Sequence, residues 1–363
     1  LISLLLSPVF SLAQYGPEIQ TSRAALCWSF CTNAFIESEA IRMGKQAVNL
    51  SESYLIQKIL EEKSASFLRM KGNMQFGPGG NIADGLALYQ KYGALPQSPS
   101  SDQQEKLANL PELEAILTGM LTGLIGSQDI NKNGHWKNAV QKILDLYLGQ
   151  HSTEQAMKFA REKIGLDARD YIQLTSWTHL PYFEKSILQQ PDNWALNHSL
   201  NLPLETFMAA IDSALNRGYT ILWSGDVSES FFSWEDGLAY VPNKDISEMT
   251  INEKEELFVA PLPEKEVGEV DRQEAYDNFQ TQSDFIMQLV GKVEDQSSRR
   301  WYLFKNACEI DAEENFLYIS QDYLKLKTVS ILLHQTALAE YILSKLKFIL
   351  DSVKQLYKIL FLL

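Results

Sequence analysis

Residues 27–55 read CWSFCTNAFIESEAIRMGKQAVNLSESYL. From Ala24 to Met43 apolar side chains recur three and four positions apart, through Leu26, Phe30, Ala34 and Ile41, with Phe35 and Ile36 beside them. That spacing predicts a helix with a wide buried stripe. Cys27 stands at its start. The positive end of a helix favours a thiolate there, and the thiolate is the attacking form of cysteine. A cysteine in an apolar helix is, taken alone, more often a small buried hydrophobe. Leu50-Ser51-Glu52-Ser53 marks the start of the next helix, with Ser51 as its N-cap.

Working outward, Gly77-Pro78-Gly79-Gly80-Asn81 is a loop, and Ile82 to Tyr92 a helix that Gly93 ends. Residues 97–106 are a polar surface connection, and three helical stretches follow between 111 and 170. After about 205 the pattern changes. Tyr219–Trp223, Leu238–Val241, Phe285–Val290, Arg300–Lys305 and Phe316–Ile319 read as strands, and Pro261 to Asp271 as an acidic loop. The order predicts an α+β protein of two lobes with a cleft between them. The expected division is a helical lobe at 14–205, containing a helical insertion at about 97–200, a strand-rich lobe at 206–345, and an amphipathic tail at 346–363.

The chain has 363 residues, with 32 Lys+Arg against 46 Asp+Glu and a net charge of −14. A nucleic acid is therefore not an expected partner, because phosphate binding needs a basic face. Lys345, Lys347, Asp351, Lys354 and Lys358 in the tail exclude a membrane span. The opening LISLLLSPVFSLAQ is a short apolar run with small residues at Ser11 and Ala13, which predicts a signal-peptidase site after Ala13. The expected location is outside the cytoplasm: periplasm, cell surface or extracellular space. Three cysteines cannot build a disulfide framework, and Cys27 and Cys31 are awkwardly placed for one on a single helix. Asp129 to Gly134 looks like the opening of a calcium loop, but the twelfth position is Val140 where a bidentate Glu is needed. No zinc spacing, phosphate loop or dinucleotide fingerprint is present, so no metal or cofactor is expected.

The stretch 27–55 resembles the aminopeptidase C / bleomycin hydrolase branch of the papain-like cysteine peptidases. The resemblance continues through GPGGNIADGLALYQKYGALP, PDNWALNHSLNLPLE, GYTILWSGDVSESFFSWEDGLAYVP, RQEAYDNFQTQSDFIMQLVG, YLFKNACEI and FLYISQDYLKLKTVSILLH, over roughly residues 18–345. It implies a papain-like two-lobe fold, with a nucleophile on the helical lobe and a base on the strand-rich, barrel-like one. Characterised relatives remove residues from peptide N-termini and assemble as hexamers. The resemblance places the nucleophile at Cys27, the base-orienting amide at Asn306, and peptide-lining positions at Trp28, Gly79 and Gly80. Relatives carry an oxyanion-hole Gln six residues before the cysteine. That position is Thr21, with Gln20 one residue further away as a candidate.

The departures are concentrated in the catalytic machinery. The family's general-base His falls at Phe285, fixed in register by Asp284, Met287 and Val290-Gly291. No His lies between His198 and His334. Ala307-Cys308 follows Asn306 where relatives have Ser-Trp, and the bulky Leu26 precedes Cys27. Loss of an acid–base partner costs ~10²–10⁴ in rate, and a damaged oxyanion hole ~10²–10³ more. An aromatic ring beside Cys27 also disfavours the thiolate. The expectation is a degenerate peptidase with little or no turnover that binds a peptide or protein partner. A working aminopeptidase that recruits His179 or His198 is the alternative. A structural or redox role for Cys27, Cys31 and Cys308 is a third reading.

Overall fold

The computed structural model describes residues 11–14, 26–97, 106–127, 134–259, 261–305, 316–340 and 342–345. The decisive helix forms as α1, Cys27–Arg42. Its burial exceeds one stripe: every residue from Cys27 to Ala40 is buried, polar ones included. The reason is its central position, packed on α2 (Glu52–Arg69) on one side and on a long strand of the sheet on the other. Buried polar groups need partners there. Asn33 donates to Glu52 Oε1 at 3.0 Å, Ser38 donates to the Ala34 carbonyl at 2.7 Å, and Glu37 Oε1 accepts from Leu50 N–H at 2.8 Å.

Ser51 caps α2 as its sequence predicts, its hydroxyl accepting from Tyr54 N–H at 3.3 Å. Next come α3 (Asp84–Tyr92), ended by Gly93 at φ +74°, then α4 (Leu110–Ile125), α5 (His135–Leu148) and α6 (Thr153–Phe159). Leu113, Leu117 and Leu121 of α4 and Val140, Leu144 and Leu148 of α5 recur at helical spacing and complete the helical core.

Strands start earlier than the sequence reading places them. β1 (Ser11–Leu12) comes first in the chain, and β2 (Tyr171–Thr175), β3 (Lys185–Ile187) and β4 (His198–Asn201) all precede residue 205. The stretch assigned to a helical insertion thus turns to strand at Tyr171. β2 pairs with the last strand, far away in sequence, and that partner supplies the ladder its short run lacks locally. Helix α7 (Leu204–Asn216) leads into β5 (Ile221–Gly225), β6 (Phe232–Ser233) and β7 (Leu238–Ala239). The acidic stretch 261–271 is not all loop, because α8 (Glu269–Asp277) begins within it, with Asp271 accepting from Gly268 N–H at 3.0 Å.

β8 (Phe285–Glu294), β9 (Arg300–Lys305), β10 (Phe316–Ser320) and β11 (Thr328–His334) complete a mixed sheet that has eleven strands among the described residues. Its order is β3-β4-β2-β11-β5-β8-β9-β10-β7-β6, with β1 on β8. α7 covers the face that holds Trp223, Met287, Phe304 and Ile331. α1 packs on β8, where Gln288 donates to the Ser38 hydroxyl at 2.7 Å. Ser11-Leu12 pairs with Lys292 and Gly291, and Ala13 is buried, so the residues expected to end a signal segment hold a place beside β8. The tail from 346 onward lies outside the described residues, among which no helix is long and apolar enough to cross a membrane.

Candidate functional site

A cavity of about 390 Å³ opens where the helical core meets the sheet core. Cys27 and Trp28 from the start of α1, Gly79 and Gly80 from the loop, and Phe285 from the start of β8 line it together. Five residues separated by up to 258 positions thus meet because α1 lies against β8. Gln20, Thr21, Asn306, Ala307 and Cys308 lie outside the described residues.

Cys27 is buried and disulfide-bonded, whereas Cys31 one turn later is a buried thiol. A disulfide sulfur bears neither a proton nor a thiolate charge, so the helix N-terminus has no ionisable thiol to act on. Phe285 opposes Gly225 in the β5–β8 ladder. Its ring sits 5.1 Å from that of Trp234, and it packs against both cores. A carbon ring accepts no proton. Gly225 must be a glycine, since an added Cβ would come within 2.1 Å of the Trp223 ring and 2.5 Å of the Lys327 carbonyl.

None of the five histidines lines the cavity. His179 Nδ1 meets Gln273 Nε2 at 2.9 Å and its ring stacks on Tyr276. His198 is exposed on β4. His151 Nε2 lies 3.1 Å from the Leu148 carbonyl, and His334 Nδ1 accepts from Thr336. The two histidines that the alternative reading recruits therefore stand elsewhere.

The glycine loop is held rigidly. Trp28 Nε1 donates to the Pro78 carbonyl at 2.8 Å. Lys63 of α2 donates to the carbonyls of Gly77 and Gly79. Burial lowers the Lys63 pKa, opposed by the carboxylates of Asp84, Asp192 and Glu114. Asp84 accepts from Asn81 N–H and Trp194 Nε1, both at 2.8 Å, and from Asn197 Nδ2 at 3.0 Å. Burial pushes its carboxyl up to about 6 even so. A Cβ on Gly80 would meet Trp28 at 2.7 Å, whereas one on Gly79 would meet nothing within 4 Å. Gly80 is thus required by packing, and Gly79 leaves backbone bare toward open space.

Glu114, Asp192, Trp194 and Asp284 also line the cavity. Burial and then the neighbouring Asp226 raise the Asp284 pKa. Asp226 is buried too, yet N–H and hydroxyl donors from Ser228 and the N–H of Gln282 hold its carboxyl below the usual range. Lys63, Glu114 and Asp192 were not singled out from sequence, and Asp284 only as a marker of register. Each reads locally as an ordinary surface charge, and only the folded wall brings them together. A larger cavity of about 590 Å³ near Lys244, Lys265 and Lys327 is lined by charges already paired with Glu253, Asp271 and Glu229. Among the described residues no group of His, Cys, Asp and Glu is placed to hold a metal ion.

The helical core and the sheet core meet at a cavity that starts with the first residue of a buried helix, in a mixed α+β fold. The structure matches PepW from Lactobacillus rhamnosis HN001 with a TM-score of 0.70 at 16% identity, covering 96% of this chain and 87% of that one. Digestive procathepsin L 3 of the Tenebrio molitor larval midgut matches with a TM-score of 0.37 at 12% identity, over 89% of this chain and 70% of that one, a score too low to establish a shared fold. No protein-family model and no curated protein matches the sequence.

Proposed function

We propose that this protein is an exported, degenerate member of the aminopeptidase C / bleomycin hydrolase branch, a peptide- or partner-binding module with little or no turnover. One observation carries the reading: the cavity presents Cys27 as half of a disulfide and Phe285 at the position expected of the base. Attack on an amide needs a thiolate and a group that passes a proton to the leaving amine. Neither is supplied by these two side chains. The rest of the cavity keeps the features of a binding groove: the bare Gly79 backbone, the Trp28 and Trp194 rings, and a loop pinned on several sides. Rigid walls bind an extended peptide without paying to order themselves.

The test is twofold. Aminoacyl-coumarin substrates, with and without dithiothreitol, should give no turnover above background. Thiol-dependent turnover on the order of 1 s⁻¹ or faster, the range of working enzymes, refutes the reading. Titration with an extended peptide library, followed through Trp28 and Trp194 fluorescence, should show saturable binding that Gly79→Val abolishes.

A further inference from the structure

Four charged side chains line the cavity at Cys27: Lys63 as a cation, against Glu114, Asp192 and Asp284. Asp284 is engaged by hydrogen bonds with Asp226 and Ser228. Glu114 and Asp192 differ from it. Each is partly buried, yet among the described residues neither carboxylate has a hydrogen bond or an ion pair. Lys63 acts on both from further off, because its ammonium donates to the carbonyls of Gly77 and Gly79. Glu114 Oε1 stands beside the same loop, 3.0 Å from where a Cβ on Gly77 would lie. Burial raises the carboxyl pKa of both residues. Carboxylates short of both water and a counter-ion are destabilised until a cation reaches them.

An acidic pair alone fixes no ligand, but two further features of the same cavity do. Trp194 lines it, with its indole N–H fixed on Asp84, and its ring centre lies 5.8 Å from the Lys63 ammonium, so an aromatic ring stands where cations gather. Gly79 leaves backbone bare toward open space, and the cavity, at about 390 Å³, has the size of clefts that enclose small ligands. We infer that the cavity takes the guanidinium of an arginine side chain in an extended peptide, held by the Glu114 and Asp192 carboxylates and the Trp194 ring. The inference deepens the proposed function and rests on its reading of the cavity as a peptide groove. A guanidinium suits these walls better than an ammonium. It is planar and stacks on aromatic faces, it presents a fork of donors to carboxylates, and it is more weakly hydrated, so entering a partly buried site costs it less.

The experiment titrates the full chain, by calorimetry, with acetyl-Ala-Ala-Arg-Ala-Ala-amide and with the same peptide carrying citrulline or lysine in place of arginine. Citrulline keeps the shape of arginine and lacks its charge. The arginine peptide should bind, the citrulline peptide roughly tenfold or more weakly, and the lysine peptide more weakly than the arginine one. Rising salt should weaken the arginine peptide and spare the citrulline one. Glu114→Gln and Asp192→Asn should each lower affinity for the arginine peptide roughly tenfold and leave the citrulline peptide unchanged. Citrulline or lysine peptides that bind as tightly as the arginine one overturn the inference and leave the groove standing. So does equally tight binding of uncapped penta-alanine, which would make an N-terminal ammonium the cation recognised. Absence of binding by every peptide refutes the groove reading together with the inference.

Discussion

At Gly80 there is no room for a methyl group, while one residue earlier there is room for several. Gly80→Ala must displace Trp28, whose indole is anchored to the Pro78 carbonyl, so it should cost about 1–3 kcal/mol in urea melts. Gly79→Ala should stay within about 0.5 kcal/mol of the parent protein and instead weaken peptide binding. Equal destabilisation by both changes would mean that Gly79 does not face the open groove. Phe285→His places an imidazole opposite Gly225, yet kcat/KM should remain near background, because a bonded sulfur has no proton to surrender. Recovery of full activity by this one substitution would show that the other departures are harmless. Phe285 itself was legible in sequence from the register of Asp284 and Met287. The ring's neighbour Trp234 was not, because the chain returns to it only through the fold.

At the scale of elements, caps and breakers were the most readable features. Ser51 and Gly93 bound their helices where local chemistry places them. Ser51→Ala should cost about 1 kcal/mol, visible as a lowered urea midpoint with an unchanged slope. The loop at 77–80 depends on distant support. Lys63→Met removes its donor to two loop carbonyls, so amide exchange at Gly79 to Ile82 should quicken while α2 keeps its protection. Unchanged exchange would show that Trp28 and Asp84 alone hold the loop. Strands β2 to β4 were missed because each is three to five residues long, and β2, which anchors β4 and through it β3, pairs with β11 far off in sequence.

For the whole molecule, stability should fall as pH rises through neutrality. Burial pushes Glu37 up to about 8, helped by Glu52 and opposed by the Leu50 N–H and Lys305. Its Oε2 has no hydrogen-bond partner among the described residues. In the unfolded chain the same carboxyl ionises near 4.5. Between those values the native state holds more protons than the unfolded one, so raising pH favours unfolding, by at most about 1.4 kcal/mol per pH unit from this group. Asp84 adds the same sign up to about 6. Glu37→Gln should flatten the decline between pH 5 and 8 in thermal melts. A slope identical to the parent's would assign the effect to other groups.

What the sequence determined by itself was the central helix, its neighbours' caps and the principal strands, because periodicity and capping chemistry are local. The tertiary structure alone decided that Cys27 is bonded rather than ionisable, that carboxylates and Trp194 share its cavity, and that Glu37 is buried. Those properties belong to space between segments: charge, burial and cross-linking depend on which distant chains come within a few ångströms, and a linear pattern does not carry that distance.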